Sequence, residues 1–89
     1  MRLKDKVAIV TGGAGGIGAS VANAYGREGA RVCVADLDQT LAEETAKGIG
    51  NGAFALKLDV TKCDSIKACV AVVEKRAGGI DILFNNAAV

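Results

Sequence analysis

Two groups of residues in this chain have the types and spacing to do chemistry. The first is the run Thr11-Gly12-Gly13-Ala14-Gly15-Gly16-Ile17-Gly18, which follows the apolar stretch Val7-Ala8-Ile9-Val10 and opens a helix-like pattern. A strand that hands a glycine loop to a helix N-terminus can hold a phosphate. The loop N–H groups and the positive end of the helix dipole converge on one point, and the missing Cβ atoms let the ligand approach the backbone. The second group consists of polar residues that end apolar runs: Asp36, Asp59, and the pair Asn85 and Asn86. Asp36 lies 18 residues past Gly18, close to the spacing of about 20 at which a ribose-binding acid follows such a loop. In the structural alternative, the glycines only make a tight turn and Asp36 only enters a helix. A lone G-x-G-x-x-G match would not separate the two, but a strand before it, a helix after it and an acid at the next strand end favour the ligand reading.

These residues need elements to position them. Val7–Val10 is a short β-branched run of the kind buried on both faces of a parallel sheet. Ile17, Val21, Ala24 and Tyr25 then recur on one helical face, and Gly29 is placed to end that helix. A second strand, Arg31–Ala35, ends at Asp36. Asp38 can cap a second helix of about three turns with Leu41, Thr45 and Ile49 inward, before Gly48, Gly50 and Gly52 break it. A third strand spans Ala53–Leu58 and ends at Asp59-Val60. Thr61-Lys62-Cys63-Asp64 resembles a capping box for a third helix with Ile66, Val70 and Val73 inward, closed by Gly78-Gly79. A fourth strand, Ile80–Phe84, runs into Asn85-Asn86-Ala87-Ala88. The β-α-β-α-β-α-β alternation predicts an α/β doubly wound parallel sheet in the order 3-2-1-4, with ligands at the carboxyl ends of the strands beside the switch point.

Composition fits that class. The chain is 51% apolar but only 3% aromatic, so its core must come from Val, Ile, Leu and Ala. A net charge of +1 argues against nucleic acid or an anionic membrane as the main partner, since both call for a basic patch. No apolar run approaches the length of a membrane span, and the apolar stretch after Met1-Arg2-Leu3-Lys4 is too short for a secretory signal, so a cytoplasmic location is expected. Cys33, Cys63 and Cys69 make an odd count without metal-ligand spacing, and read as buried or half-buried thiols in a reducing compartment.

Asp36 also bears on the choice of nucleotide. Its carboxylate can accept hydrogen bonds from two ribose hydroxyls and would repel a 2′-phosphate. Gly15 and Leu37 stand where a basic residue would offset that repulsion. The expected cofactor is therefore NAD(H) rather than NADP(H).

Three segments together resemble one family. Thr11-Gly12 with Gly16-Ile17-Gly18, Leu58-Asp59-Val60-Thr61, and Asn85-Asn86-Ala87-Ala88 are similar to the cofactor motifs of the short-chain dehydrogenases/reductases, with Ala88 in place of the usual glycine. The resemblance spans the chain in order and spacing. It implies that Gly12, Gly16, Ile17 and Gly18, with Gly15 in the same loop, line the pyrophosphate. Asp36 and Leu37 would hold the adenosine ribose, Asp59 and Val60 would contact adenine, and Asn86 and Ala87 would lie along the nicotinamide side. Asn85 is expected to tie strand 4 to its neighbours. For Asp59 the alternative is a helix-entry carboxylate, and for the Asn pair a structural role.

The family's chemistry uses a Tyr-x-x-x-Lys pair that this chain lacks. Its one tyrosine, Tyr25, has no lysine four residues on and is expected in the core. Residues 1–89 are thus expected to be the N-terminal dinucleotide-binding part of one Rossmann domain without catalytic or metal-ligating residues. A strand at the chain end suggests a fragment, or a sheet completed by another chain. The resemblance implies an enzyme that moves hydride between a nicotinamide and an alcohol or ketone, and homo-oligomers built through later helices. The opening segments are similar to those of bacterial polyol dehydrogenases. The other reading is a non-catalytic dinucleotide-binding or interaction fragment.

Overall fold

The runs rich in Val, Ile and Ala at Val7–Thr11 and Arg31–Asp36 are strands covered on both faces, as inner strands of a parallel sheet are. In the computed structural model, which describes residues 3–12, 16–59 and 62–85 and every side chain among them but that of Cys63, seven elements alternate. They are β1 (Val7–Thr11), α1 (Gly16–Arg27), β2 (Arg31–Asp36), α2 (Gln39–Ile49), β3 (Phe54–Lys57), α3 (Cys63–Ala77) and β4 (Ile82–Asn85). The four strands form one parallel sheet in the order β3-β2-β1-β4, the order predicted from the alternation.

Alternation of side chains across the sheet divides the core in two. Ala8, Val10, Val32 and Val34 meet Ala22 of α1 and Ala42 and Ala46 of α2 on one face. Val7, Ile9, Cys33 and Ala35 meet Cys69 and Val73 of α3 on the other. Ile9, Val10, Val32 and Val34 are among the largest fully buried side chains. At about 1.5–3 kcal/mol each, their burial outweighs any single hydrogen bond at about 1 kcal/mol.

The helices face the sheet through smaller residues than expected. On α2, Ala42 and Ala46 are buried and Ile49 packs beside them as expected, while Leu41 is 41% exposed; the centre of the inner stripe is turned by one position from Leu41–Thr45. On α1, Gly18 and Ala22 are buried and Ile17 is 70% exposed, with Val21 and Tyr25 packed at the margin. On α3, Cys69 and Val73 are buried, whereas Ile66 is 40% exposed and Val70 half-buried. Small residues bring a helix close to the strands, and the larger side chains beside them then spread to the rim.

The ends follow local chemistry. The Asp38 side chain caps α2 by accepting from the Leu41 N–H at 3.0 Å, as predicted. α2 continues through Gly48 to Ile49 and stops at Gly50, whose φ is +69°. α1 ends in a Schellman arrangement: the Ala30 N–H reaches Tyr25 O at 3.1 Å and the Gly29 N–H reaches Gly26 O at 3.0 Å. Thr61, the expected start of a capping box for α3, lies outside the described residues. The N-cap is Lys62, which makes no side-chain cap bond. β3 and β4 differ from the predicted bounds, because Leu58 and Ile80 pack into the core beyond the paired residues.

Candidate functional site

The carboxyl ends of the strands carry Thr11 and Gly12 on β1, Asp36 on β2, Leu58 and Asp59 just past β3, and Asn85 on β4. The sheet order sets these ends side by side, and hydrogen bonds fix them there. The Gly12 N–H donates to Ala35 O at 2.8 Å, joining the start of the glycine loop to the residue before Asp36. Gly12 has φ +65°, a left-handed conformation that an L side chain adopts only at a cost. The Leu58 N–H donates to Asp36 O at 3.0 Å, which joins β3 to the same point. The Thr11 hydroxyl donates to Asn85 Oδ1 at 2.9 Å and ties β4 to β1, the role expected of Asn85.

α1 begins at Gly16, which is exposed and has φ +56°. No acidic residue stands in its first turn, so no side chain there offsets the positive end of the helix dipole. An anion held at this end would be stabilised by about 0.3–1 kcal/mol through the dipole, besides its hydrogen bonds. Ile17 projects from the same turn, and Gly18 is buried against the core. Of the loop assigned to cofactor, Gly15 lies outside the described residues, as do Val60, Asn86 and Ala87.

Asp36 is half-buried, and its Oδ1 accepts the Asp38 N–H at 3.0 Å. Asp38 is held in turn by its cap on α2, so the helix start and the carboxylate are organised together. Leu37 is 61% exposed beside them. Asp59 is half-buried, and its N–H donates to the Ser65 hydroxyl at 3.0 Å. That bond anchors the β3 end to the first turn of α3.

Two neighbours escaped the sequence argument. Lys57 is the register partner of Asp36 and is exposed. A basic residue therefore stands across the strand pair from the proposed ribose acid, although none stands directly after that acid. Asp81 accepts the Val7 N–H through Oδ2 at 2.8 Å, while its own N–H donates to Val7 O at 2.9 Å. It fixes β4 to β1 at the end opposite the site. Both are cross-strand relations, for which linear spacing carries no signal. Among the described residues there is no group of three or more His, Cys, Asp or Glu that could hold a metal ion, and no helix long and apolar enough to cross a membrane.

Comparison with known proteins agrees with this geometry. The family model described as short chain dehydrogenase matches residues 6–89. Galactitol 2-dehydrogenase of Agrobacterium fabrum is 52% identical over 89 residues, covering all of this chain and 35% of that protein. Sorbitol dehydrogenase of Cereibacter sphaeroides is 54% identical over 88 residues, covering 99% of this chain and 34% of that protein. The chain thus spans about a third of the length of these curated relatives. The crystal structure of a hydroxysteroid dehydrogenase from Escherichia coli superposes with a TM-score of 0.93 at 34% identity, covering 99% of this chain and 39% of that one.

Proposed function

Because this chain belongs to the short-chain dehydrogenase family, we propose that it forms the NAD(H)-binding part of an oxidoreductase acting on an alcohol or ketone, with polyols as the favoured substrate class. Residues 1–89 act as one part of a single dinucleotide-binding domain, in a cytoplasmic enzyme whose ligands are small molecules. When bound, the nicotinamide supplies the hydride chemistry. This chain's own residues bind and orient the cofactor: the α1 N-terminus and Gly12 receive phosphate, and Asp36 accepts from the adenosine ribose.

The observation that carries this reading is the Asp36 carboxylate at the end of β2, held by the Asp38 N–H next to the Gly12 turn. A fixed acceptor costs less to order on binding than a free one. It disfavours a 2′-phosphate, and Lys57 across the strand pair works against that preference. The polyol reading is supported by the two relatives named for galactitol and sorbitol, each more than half identical to this chain.

Calorimetric titration of the full-length protein with NAD and NADP tests the assignment. The parent should prefer NAD, and Asp36→Ala should weaken NAD about 10- to 100-fold, the loss of a hydrogen bond to a charged acceptor. Unchanged NAD affinity in Asp36→Ala, or a parent that prefers NADP, would overturn it. Galactitol and sorbitol should be oxidised faster than a hydroxysteroid in a NADH-absorbance assay.

A further inference from the structure

The sheet face that packs against α3 holds two thiols that the proposed cofactor site does not use. Cys33 on β2 and Cys69 on α3 are both buried free thiols in one apolar cluster with Val7, Ile9, Phe54 and Val73. Cys33 is the register partner of Phe54 on β3. The guanidinium of Arg76, in the last turn of α3, lies 4.1 Å from the centre of the Phe54 ring. The Arg31 guanidinium lies over the same ring at 5.3 Å, so two thiols and two cations stand where β2, β3 and α3 come together.

The two sulfurs are not equivalent. A hydrogen bond with Cys69, together with burial, pushes the Cys33 thiol well above the ordinary range, with Arg76 acting in the opposite sense. The same bond pulls Cys69 down, against its burial. Cys33 is fully buried on the inner strand β2, whereas Cys69 stands on α3 and keeps slight exposure, so Cys69 is the first of the two that an opening of α3 presents to a reagent.

We propose that Cys33 and Cys69 form a dithiol site that closes to an intramolecular disulfide on reaction with a hydroperoxide. The Cys69 sulfur attacks a peroxide oxygen and the O–O bond breaks. For hydrogen peroxide, the departing hydroxide takes the Cys69 proton and leaves as water, and Cys69 becomes a sulfenic acid. The Cys33 sulfur then attacks the Cys69 sulfur. The S–S bond forms, the S–O bond breaks, and the second hydroxide leaves as water with the Cys33 proton. The two thiols lose two electrons in all and the peroxide gains them. Access comes from local opening of α3. Cys69 and Val73 are its buried side chains among the described residues, while Ile66 and Val72 are more than a third exposed, so few apolar contacts hold it to the sheet.

The experiment treats the folded full-length protein with hydrogen peroxide and maps its peptides by mass spectrometry without reduction. The expected product joins the Cys33 and Cys69 peptides, lacks two hydrogen atoms, and reverts with dithiothreitol. The bridge should raise Tm by about 5–10 °C, since it closes a loop from β2 to α3. Cys33→Ala should leave Cys69 as a sulfenic acid that dimedone captures. Cys69→Ala should leave Cys33 unreactive. If either variant fails to fold, the map of the parent decides. A bridge through Cys63, oxidation of either thiol to sulfinic acid without a bridge, or no reaction at peroxide levels that oxidise a surface thiol overturns the proposal.

Discussion

Gly26 sits in the last turn of α1, where that helix crosses α2. A Cβ built on it would overlap Ile49 Cγ2. Replacing Gly26 by Ala sets two effects against each other. Ala in a helix interior is favoured over Gly by about 1 kcal/mol, and nearer to 0.5 kcal/mol this close to the helix end. Against this, Ile49 is β-branched and stiff at χ1, so Cγ2 can move only if the side chain leaves its rotamer or the helices separate. Overpacking of this kind costs about 1–3 kcal/mol. The balance predicts that Gly26→Ala destabilises by about 1–2 kcal/mol. Denaturant unfolding of the full-length protein measures it, and a double-mutant cycle identifies the cause. Ile49→Ala removes Cγ2, and in that background Gly26→Ala should stabilise by about 0.5 kcal/mol. Ile49→Val keeps a methyl at that position and should not rescue. If Gly26→Ala alone stabilises the protein, or Ile49→Val rescues as well as Ile49→Ala, the close crossing of α1 and α2 is not what glycine serves at this position.

Two further substitutions probe how the site is positioned. Asp81→Ala leaves the Val7 N–H without its side-chain acceptor and should cost about 1 kcal/mol, the low end for a lost partner because Asp81 is exposed and water can replace it. Asp81→Asn keeps an acceptor oxygen and should lose less than half as much in the same unfolding measurement. Asp38→Ala removes the α2 cap, at a cost of about 1 kcal/mol. It also frees the turn that holds Asp36 Oδ1, so KM for NAD should rise while kcat stays near that of the parent; a fall in kcat with KM unchanged would show that the turn does not act through the cofactor.

What the sequence makes legible here, and what it hides, has a physical pattern. Parallel strands buried on both faces must read as continuous apolar runs, so β1 and β2 stand out with nearly their true bounds. Asp38 also reads correctly, because a cap depends on residues three positions apart. The inward faces of the helices read only in part: Val73 is buried as expected and Ile49 packs against the core, but Leu41 and Ile66 stay exposed. Pattern reading weights Leu41 and Ile66 by hydrophobicity, whereas the sheet accepts Ala42 and Ala46, whose small size permits close approach. Ser65 bound by the Asp59 N–H, Lys57 opposite Asp36, and Asp81 on Val7 all depend on how separate elements meet. Spacing along the chain carries no trace of such meetings until the sheet order and register are known.

The register explains why the strand ends behave as one site. The Gly12 N–H is bound to β2, the Leu58 N–H to Asp36, the proposed ribose acid, and the Thr11 hydroxyl to Asn85. Each strand end is joined to its neighbour by a bond that no ligand has to supply. The entropy of ordering these groups is lost during folding, where the apolar burial of Ile9, Val10, Val32 and Val34 offsets it, so little of it remains to be lost on binding. A phosphate arriving at the α1 N-terminus and a ribose arriving at Asp36 would therefore meet donors and acceptors already in place. Damage to one of these staples should lower affinity through misplaced groups, even where the staple itself touches no ligand. Thr11→Val is the clearest case, because it removes the β1–β4 tie and leaves the Gly12–Ala35 bond, and with it the approach to Asp36, intact.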